Sequence, residues 1–99
     1  MEKIDYLPLG SIVYAKGGIK ELMIVGRGLQ IKINEEVSFF DYAAVNYPEG
    51  LISDQVAYFN HDKISKVLFK GFSDDRDQVI KENINTFLET NKVKRIELE

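Results

Sequence analysis

The sequence predicts a single α+β domain, residues 1–99. It should be a small, bent antiparallel β-sheet or an SH3-like, partly open barrel of about five strands, with a C-terminal α-helix. The first three-quarters of the chain is rich in aromatic and β-branched residues and is interrupted by glycines, which is typical of short strands. The last quarter is charged and has apolar residues at helical spacing. We therefore expect the β part over about 7–72 and the helix over about 74–91.

Four strands are predicted in the first half of the chain. They are Ser11–Lys16, Lys20–Arg27, Leu29–Ile33 and Val37–Val45. Gly17 and Gly18 predict a two-residue hairpin between the first two strands. The glycines on both sides of Arg27 predict a bulge, with Arg27 exposed on it. The polar run Asn34–Glu36 predicts the turn before the fourth strand.

The second half begins with an interruption of regular structure at Pro48 and Gly50. A short strand is expected at Gln55–Asn60, and then a tight helical turn at His61–Ile64 with Asn60 as its N-cap. Ser65–Phe72 is the last clearly predicted strand.

The C-terminal helix should start at Ser73 or Asp74, because the aspartates that follow suit the positive end of a helix dipole. Asn91 is a plausible stop. The tail Lys92–Glu99 alternates weakly, which fits a short edge strand or a frayed end. One apolar stripe at helical spacing should cover an open face of the sheet: Val79, Ile80, Ile84, Phe87 and Leu88.

Composition argues against several classes of function. The net charge of −3 disfavours nucleic acid as the main partner. There is no cysteine and one histidine, so we expect no metal site, and no motif for a cofactor is found. No apolar run approaches the roughly 20 residues of a membrane helix. The start lacks the features of a signal peptide, so a cytoplasmic location is expected, with export alongside a partner left open.

Two residues deserve a test as catalytic groups. His61 would need a nucleophile or an orienting carboxylate within reach, and the sequence offers neither, so we interpret it as a turn residue at the start of the small helix. Asp41 lies in an aromatic strand, where aspartate is uncommon. It is interpreted as structural, either facing solvent at a sheet edge or bonding the backbone amides of a turn. The protein is not expected to be an enzyme.

Aromatic residues gather around the Pro-Glu-Gly turn. Tyr47, Tyr58 and Phe59 fit either the filling of a barrel mouth or a contact surface for another protein, since aromatic residues are common anchors of interfaces.

Four segments in this order resemble the bacterial family called domain of unknown function 4176, or DUF4176. They are "LPLGSIV", "KELMIVGRG", "FDYAAVNYPEG" and "YFNHDKISKVLFKGF", and the resemblance covers about Leu7–Phe72. Its most specific parts are the turn "YPEG" and the "FNH-D-I-x-x-V" segment. The longer segment "GLQIKINEEVSFF" departs from the family pattern at what looks like a variable connection.

The resemblance implies a non-enzymatic accessory protein. Members of this family occur in Gram-positive bacteria, often beside genes for type VII secretion and LXG toxins. A cytosolic chaperone or adaptor for such a toxin is expected. An immunity protein that neutralises the toxin domain, or a small ligand-binding β-barrel, are the alternatives.

The resemblance implies no catalytic residue. Its motif residues, with the neighbouring Tyr58, are expected to bind a partner through a rigid turn tip or a sheet edge: Tyr47, Pro48, Glu49, Gly50, Tyr58, Phe59, Asn60 and His61.

Overall fold

The computed structural model of the protein describes residues 3–90. A short 3-10 helix at His61–Lys63 precedes the last strand, where the sequence predicts a tight helical turn. The strands and the helix are β1 (Ile12–Ala15), β2 (Leu22–Ile33), β3 (Glu36–Asn46), β4 (Ala57–Phe59), β5 (Ile64–Phe69) and α1 (Asp75–Thr90).

The five strands form one antiparallel sheet in the order β4-β3-β2-β1-β5. The α+β class with one C-terminal helix is confirmed. Between the two predicted alternatives, the structure has the open sheet: β4 and β5 lie at opposite edges and do not pair, so the sheet is not closed into a barrel. The position of these two edges decides which backbone groups another chain could reach.

The segments predicted as two strands around Arg27 are one continuous strand, β2. The predicted bulge is present, because the pairing of β2 with β3 shifts by one residue between Ile24 and Gly26. Gly28 has a φ of +61°, and a Cβ added there would lie 2.9 Å from Cγ1 of Ile84 in α1. The glycine thus permits a backbone conformation that other residues avoid and also lets the helix approach the sheet closely.

Other boundaries differ from the predictions. The connection from β1 to β2 runs from Lys16 to Glu21, which is longer than a two-residue hairpin. β5 ends at Phe69 rather than at Phe72. The chain leaves the sheet there because the amide of Gly71 donates to the hydroxyl of Ser11 at 2.9 Å instead of continuing the ladder. The tail strand considered for Lys92–Glu99 lies outside the described residues.

The core lies between the helix, the sheet and the N-terminal segment. Its buried cluster is supported from α1 by Ile84, and the ring of Phe87 stacks on Phe39 with 6.4 Å between centroids. Val79 and Ile80, at the start of the predicted stripe, are instead 54% and 45% exposed, so only the second half of the stripe covers the sheet. The core cluster consists of Tyr6, Val13, Ile24, Tyr42, Ala44 and Phe59.

The side chain of Arg27 is buried, and the prediction of an exposed arginine on the bulge is wrong. Its side chain is 6% exposed and lies 2.5 Å from a carboxylate oxygen of Asp77, itself 9% exposed. Arg27 also donates to the carbonyl of Leu7 at 3.3 Å. One arginine therefore joins β2 to the first turn of α1 and to the N-terminal segment.

This ion pair should make stability depend on pH. Burial on its own would raise the pKa of Asp77, but the hydroxyl of Ser73 and the guanidinium of Arg27 outweigh it and lower that pKa below its ordinary value of 3.8. A carboxyl whose pKa is lowered by folding stabilises the protein above its unfolded-state pKa. That stabilisation is lost as the pH falls through the folded-state pKa.

Asp77→Asn should therefore lower the free energy of unfolding by about 2 kcal/mol at neutral pH, the usual contribution of a hydrogen bond to a charged group. The difference from the wild type should shrink once the pH falls below about 4. Urea denaturation followed by circular dichroism from pH 7 down to pH 3 would measure it. Asp75→Asn, an exposed change in the same turn, should cost less than about 0.5 kcal/mol. A penalty for Asp77→Asn that does not change with pH would contradict the assignment.

Candidate protein-binding site

The eight residues predicted to bind a partner separate into an exposed turn and a largely buried segment. Tyr47, Pro48 and Glu49 are exposed in the turn after β3, and Gly50 closes that turn with a φ of +82°. In the second group Phe59 and Asn60 are buried, while Tyr58 and His61 are half-buried. Because Phe59 and Asn60 are buried, a partner could not contact them directly.

Asp41 is the centre of a buried hydrogen-bond network that explains the second group. Its side chain is fully buried, and one carboxylate oxygen accepts from the hydroxyl of Tyr6 at 2.8 Å. The other oxygen accepts from the backbone N–H of His61 at 2.8 Å, and the amide of Asp41 donates to the side-chain oxygen of Asn60 at 3.0 Å. Asp41 is therefore structural and bonds the amide of a turn, but it lies in the interior rather than at a solvent-facing edge.

Asn60 has the N-cap position that the sequence predicts, yet it does not cap the small helix with its side chain. Its side-chain oxygen is used by Asp41 of β3 instead. The amide of His61, at the start of the 3-10 helix, is bonded by the Asp41 carboxylate. A residue distant in sequence thus supplies the capping interaction that the local sequence suggested for Asn60.

His61 is fixed on its other side by Tyr42. The Tyr42 hydroxyl lies 2.6 Å from Nδ1 of His61 and accepts a hydrogen bond from the amide of Leu7 at 3.0 Å. Burial raises the pKa of Tyr42 well above its ordinary value, so the phenol keeps its proton at neutral pH. These contacts order the turn and engage both carboxylate oxygens of Asp41 within the protein.

The exposed turn is tied to the neighbouring loop. The ammonium group of Lys20 lies 2.7 Å from the Glu49 carboxylate and lowers the pKa of Glu49 through their hydrogen bond. The amide of Tyr47 donates to the carbonyl of Glu21 at 2.9 Å. Glu49 is therefore already engaged by Lys20, whereas the ring of Tyr47, 44% exposed, remains accessible.

Tyr47 lines an apolar groove of about 540 Å³ that crosses one face of the sheet. The groove reaches from the turn over β2 and β1 to Leu68 and Phe69 of β5. Consecutive strand residues normally point to opposite faces, but the pairing of β1 with β5 shifts between Ile12 and Val13, which is the irregularity of a bulge. The shift lets both Leu68 and Phe69 line the groove. The full lining is Gly10, Ile12, Glu21, Met23, Tyr47, Leu68 and Phe69.

β5 itself is an edge strand with an unusually apolar exposed surface. Val67, Leu68 and Phe69 are 43%, 41% and 61% exposed, and Phe72 just beyond the strand is 78% exposed. Proteins generally protect edge strands, since open backbone groups and apolar side chains invite pairing with another chain. Large contiguous apolar patches on protein surfaces often coincide with sites of interaction. We call β5, Phe72 and the groove the edge surface.

The sequence reasoning missed most of this edge surface. It identified β5 as a strand and Tyr47 as a contact residue, but it did not place them together. One signal was present: "KVLFK" has three apolar residues in succession between lysines, without the alternation expected of a strand with one face in solvent. The assignment of the edge required the strand order, which this segment does not encode.

Two further properties concern other kinds of site. Within residues 3–90, no group of three or more histidine, aspartate or glutamate side chains is arranged to hold a metal ion. In the same part of the chain, no helix has the length and apolar character needed to span a membrane.

Comparison with known proteins bears on the resemblance proposed from the sequence. No curated protein and no solved structure matches the chain significantly. The model of the family described as domain of unknown function, DUF4176, matches residues 6–80, which include the Asp41 network, the exposed turn and the whole of β5. Because this match spans most of the sequence, the chain belongs to the DUF4176 family.

Proposed function

We propose that this protein is a non-enzymatic binding module that holds a partner protein at its edge surface. The observation that carries the proposal is the exposure of Val67, Leu68 and Phe69 on an edge strand beside an apolar groove. A surface of this kind offers a partner both apolar burial and backbone hydrogen bonds. The ring of Tyr47 extends the same surface towards the turn.

We further propose that the partner is an LXG-type toxin of a type VII secretion system, and that this protein serves as its cytoplasmic chaperone or adaptor. Membership of DUF4176, together with the association of that family described above, supports this identity of the partner. The edge surface suits a chaperone because it could cover an apolar segment of the toxin before export. The alternative is an immunity protein, which would hold the toxic domain itself.

Co-purification tests the proposal. The tagged protein should recover the toxin encoded beside it when the two are produced together. Phe69→Lys and Leu68→Lys should each reduce recovery at least tenfold, because each puts a charge where the partner would bury apolar surface. Val37→Lys is the matched control, since Val37 is 55% exposed in β3 but does not line the groove, and it should leave recovery unchanged.

The toxin fragment that is recovered discriminates the two roles. Recovery of the N-terminal targeting domain supports a chaperone or adaptor. Recovery of the C-terminal toxic domain alone would overturn that role in favour of immunity. Unchanged recovery with both lysine variants would show that the edge surface is not the binding site.

The turn contributes a second comparison. Tyr47→Ala should weaken recovery, because Tyr47 lines the groove, whereas Glu49→Ala should have little effect, because Glu49 is engaged by Lys20. This departs from the expectation that Glu49 itself contacts the partner from the turn tip.

Tyr58 lies on the opposite edge of the sheet from β5, where it packs against Phe40 with 5.7 Å between ring centroids. Tyr58→Ala should therefore also leave recovery unchanged.

A further inference from the structure

The charges around β5 indicate what kind of segment it would accept. Lysines stand at Lys63, Lys66 and Lys70, and no acidic residue lies between Lys63 and Lys70. Lys66 and Lys70 are exposed. The chain as a whole carries a net charge of −3, so this strip is basic although the protein is acidic overall. Three acidic groups lie around this strip: Asp62 precedes it in the sequence, Glu21 lines the groove, and Asp5 has its pKa lowered by several basic groups, Lys70 among them.

The backbone of β5 leaves one side open within the described residues. β5 pairs with β1 alone and is the last strand of the sheet. The N–H and C=O groups on the other side of such a strand can receive an added strand from another chain. Apolar side chains at alternate positions of that added strand would then meet Leu68 and Phe69, which line the groove.

We propose that β5 binds an extended, acidic and apolar segment of the partner protein, which adds a strand to the free edge. Apolar side chains of the segment pack on the edge surface, and its carboxylates lie opposite Lys66 and Lys70. The inference rests on the proposed function, because it names the chemistry of the segment that the module holds.

Charge also argues against a second copy of this chain as the occupant. Antiparallel pairing of β5 with β5 of another copy would bring the lysines of two identical basic strips together. Like charges across paired strands are destabilising, and edge lysines are a common means of preventing this kind of association. The same lysines attract a segment of opposite charge.

Two synthetic peptides test the proposal. Both have eight residues and blocked ends, with valine and threonine at the same positions; one has glutamate at the remaining positions and the other has lysine. Titration of the ¹⁵N-labelled protein should move the amide signals of Ile64–Phe69 with the acidic peptide. The lysine peptide should bind at least tenfold more weakly. Equal affinity for the two, or shifts confined to β4, would overturn the inference.

Charge reversal provides the control within the protein. The double variant Lys66→Glu and Lys70→Glu should invert the preference between the two peptides. Lys32→Glu should leave that preference unchanged, because Lys32 lies near the end of β2, at the turn between β2 and β3. Co-purification of the toxin with these variants separates the two proposals. If the toxin is lost with Phe69→Lys but kept with the Lys66/Lys70 double variant, the binding module stands and the acidic segment does not.

Discussion

Replacing Asp41 with alanine should lower the free energy of unfolding by about 3–5 kcal/mol. The change removes the acceptor for the hydroxyl of Tyr6 and for the amide of His61, both at 2.8 Å, in a place where Asp41 is fully buried. Donors that lose their acceptor away from water cost about 1–3 kcal/mol each. Because small domains are stable by only about 5–15 kcal/mol, the variant should be close to unfolding. Guanidinium denaturation followed by circular dichroism would measure the loss.

Two milder variants test whether the loss arises from this network. Asp41→Asn keeps the shape of the side chain but presents an NH2 group to one of the two donors, so it should cost less than alanine, about 2–3 kcal/mol. Tyr6→Phe removes one hydroxyl and should cost about 1–2 kcal/mol. The double variant of Tyr6→Phe and Asp41→Asn should cost less than the sum of its parts, because both changes disrupt the same bond. Simple additivity would show that the two groups are not coupled.

The Asp41 network shows how far local sequence can lead. An aspartate among aromatic strand residues is unusual, and the sequence therefore identified Asp41 as a residue with a structural task. Its partners could not be found in the same way, because Tyr6 is 35 residues away and the amide of His61 is 20 residues away. Such contacts are created by the fold and have no spacing that reveals them in advance.

The fold was predictable where local signals act alone. The aspartates at the start of α1, the apolar spacing within it and the polar turn before β3 all predict structure from neighbouring residues. The single strand β2 was divided in the prediction because Gly26 and Gly28 suggest a break. In the structure they allow a bulge and a close approach of Ile84 without ending the strand.

The candidate site was less predictable because it depends on strand order. β1 sits between β2 and β5, so the first and last strands of the β part become neighbours, and β5 becomes an edge. A sequence can indicate that "KVLFK" is a strand without indicating which of its sides is paired. Conversely, Phe59 and Asn60 carry a specific motif but are buried, since a motif can mark a residue needed for folding as well as one needed for binding.

Gly71→Ala should lower the free energy of unfolding by about 3 kcal/mol. A Cβ added at Gly71 would lie 2.2 Å from the carbonyl oxygen of Leu9 and 3.0 Å from the amide nitrogen of Ser11. Both are backbone atoms, so neither can move aside as a flexible side chain would. The two chain segments must separate, which should also break the 2.9 Å hydrogen bond from the Gly71 amide to Ser11.

Gly26→Ala is the matched control for that change. The nearest atoms to a Cβ at Gly26 would be in the side chains of Leu29 and Ala43, at 3.4 Å and 3.5 Å, which is ordinary van der Waals contact, so the variant should stay within about 0.5 kcal/mol of the wild type. Denaturation of the two variants under the same conditions gives the comparison. Equal stabilities would contradict the close packing of Gly71 against Leu9.

The same substitution connects stability to the proposed binding role. Gly71 lies just after β5, and the contact with Leu9 and Ser11 fixes where Phe69 and Phe72 stand relative to the rest of the edge surface. Gly71→Ala should therefore weaken binding of the acidic peptide at temperatures where the variant remains folded, whereas Asp41→Asn should not, because its network lies in the interior near β4. If both variants bind as the wild type does, the edge surface does not depend on the packing that ends β5.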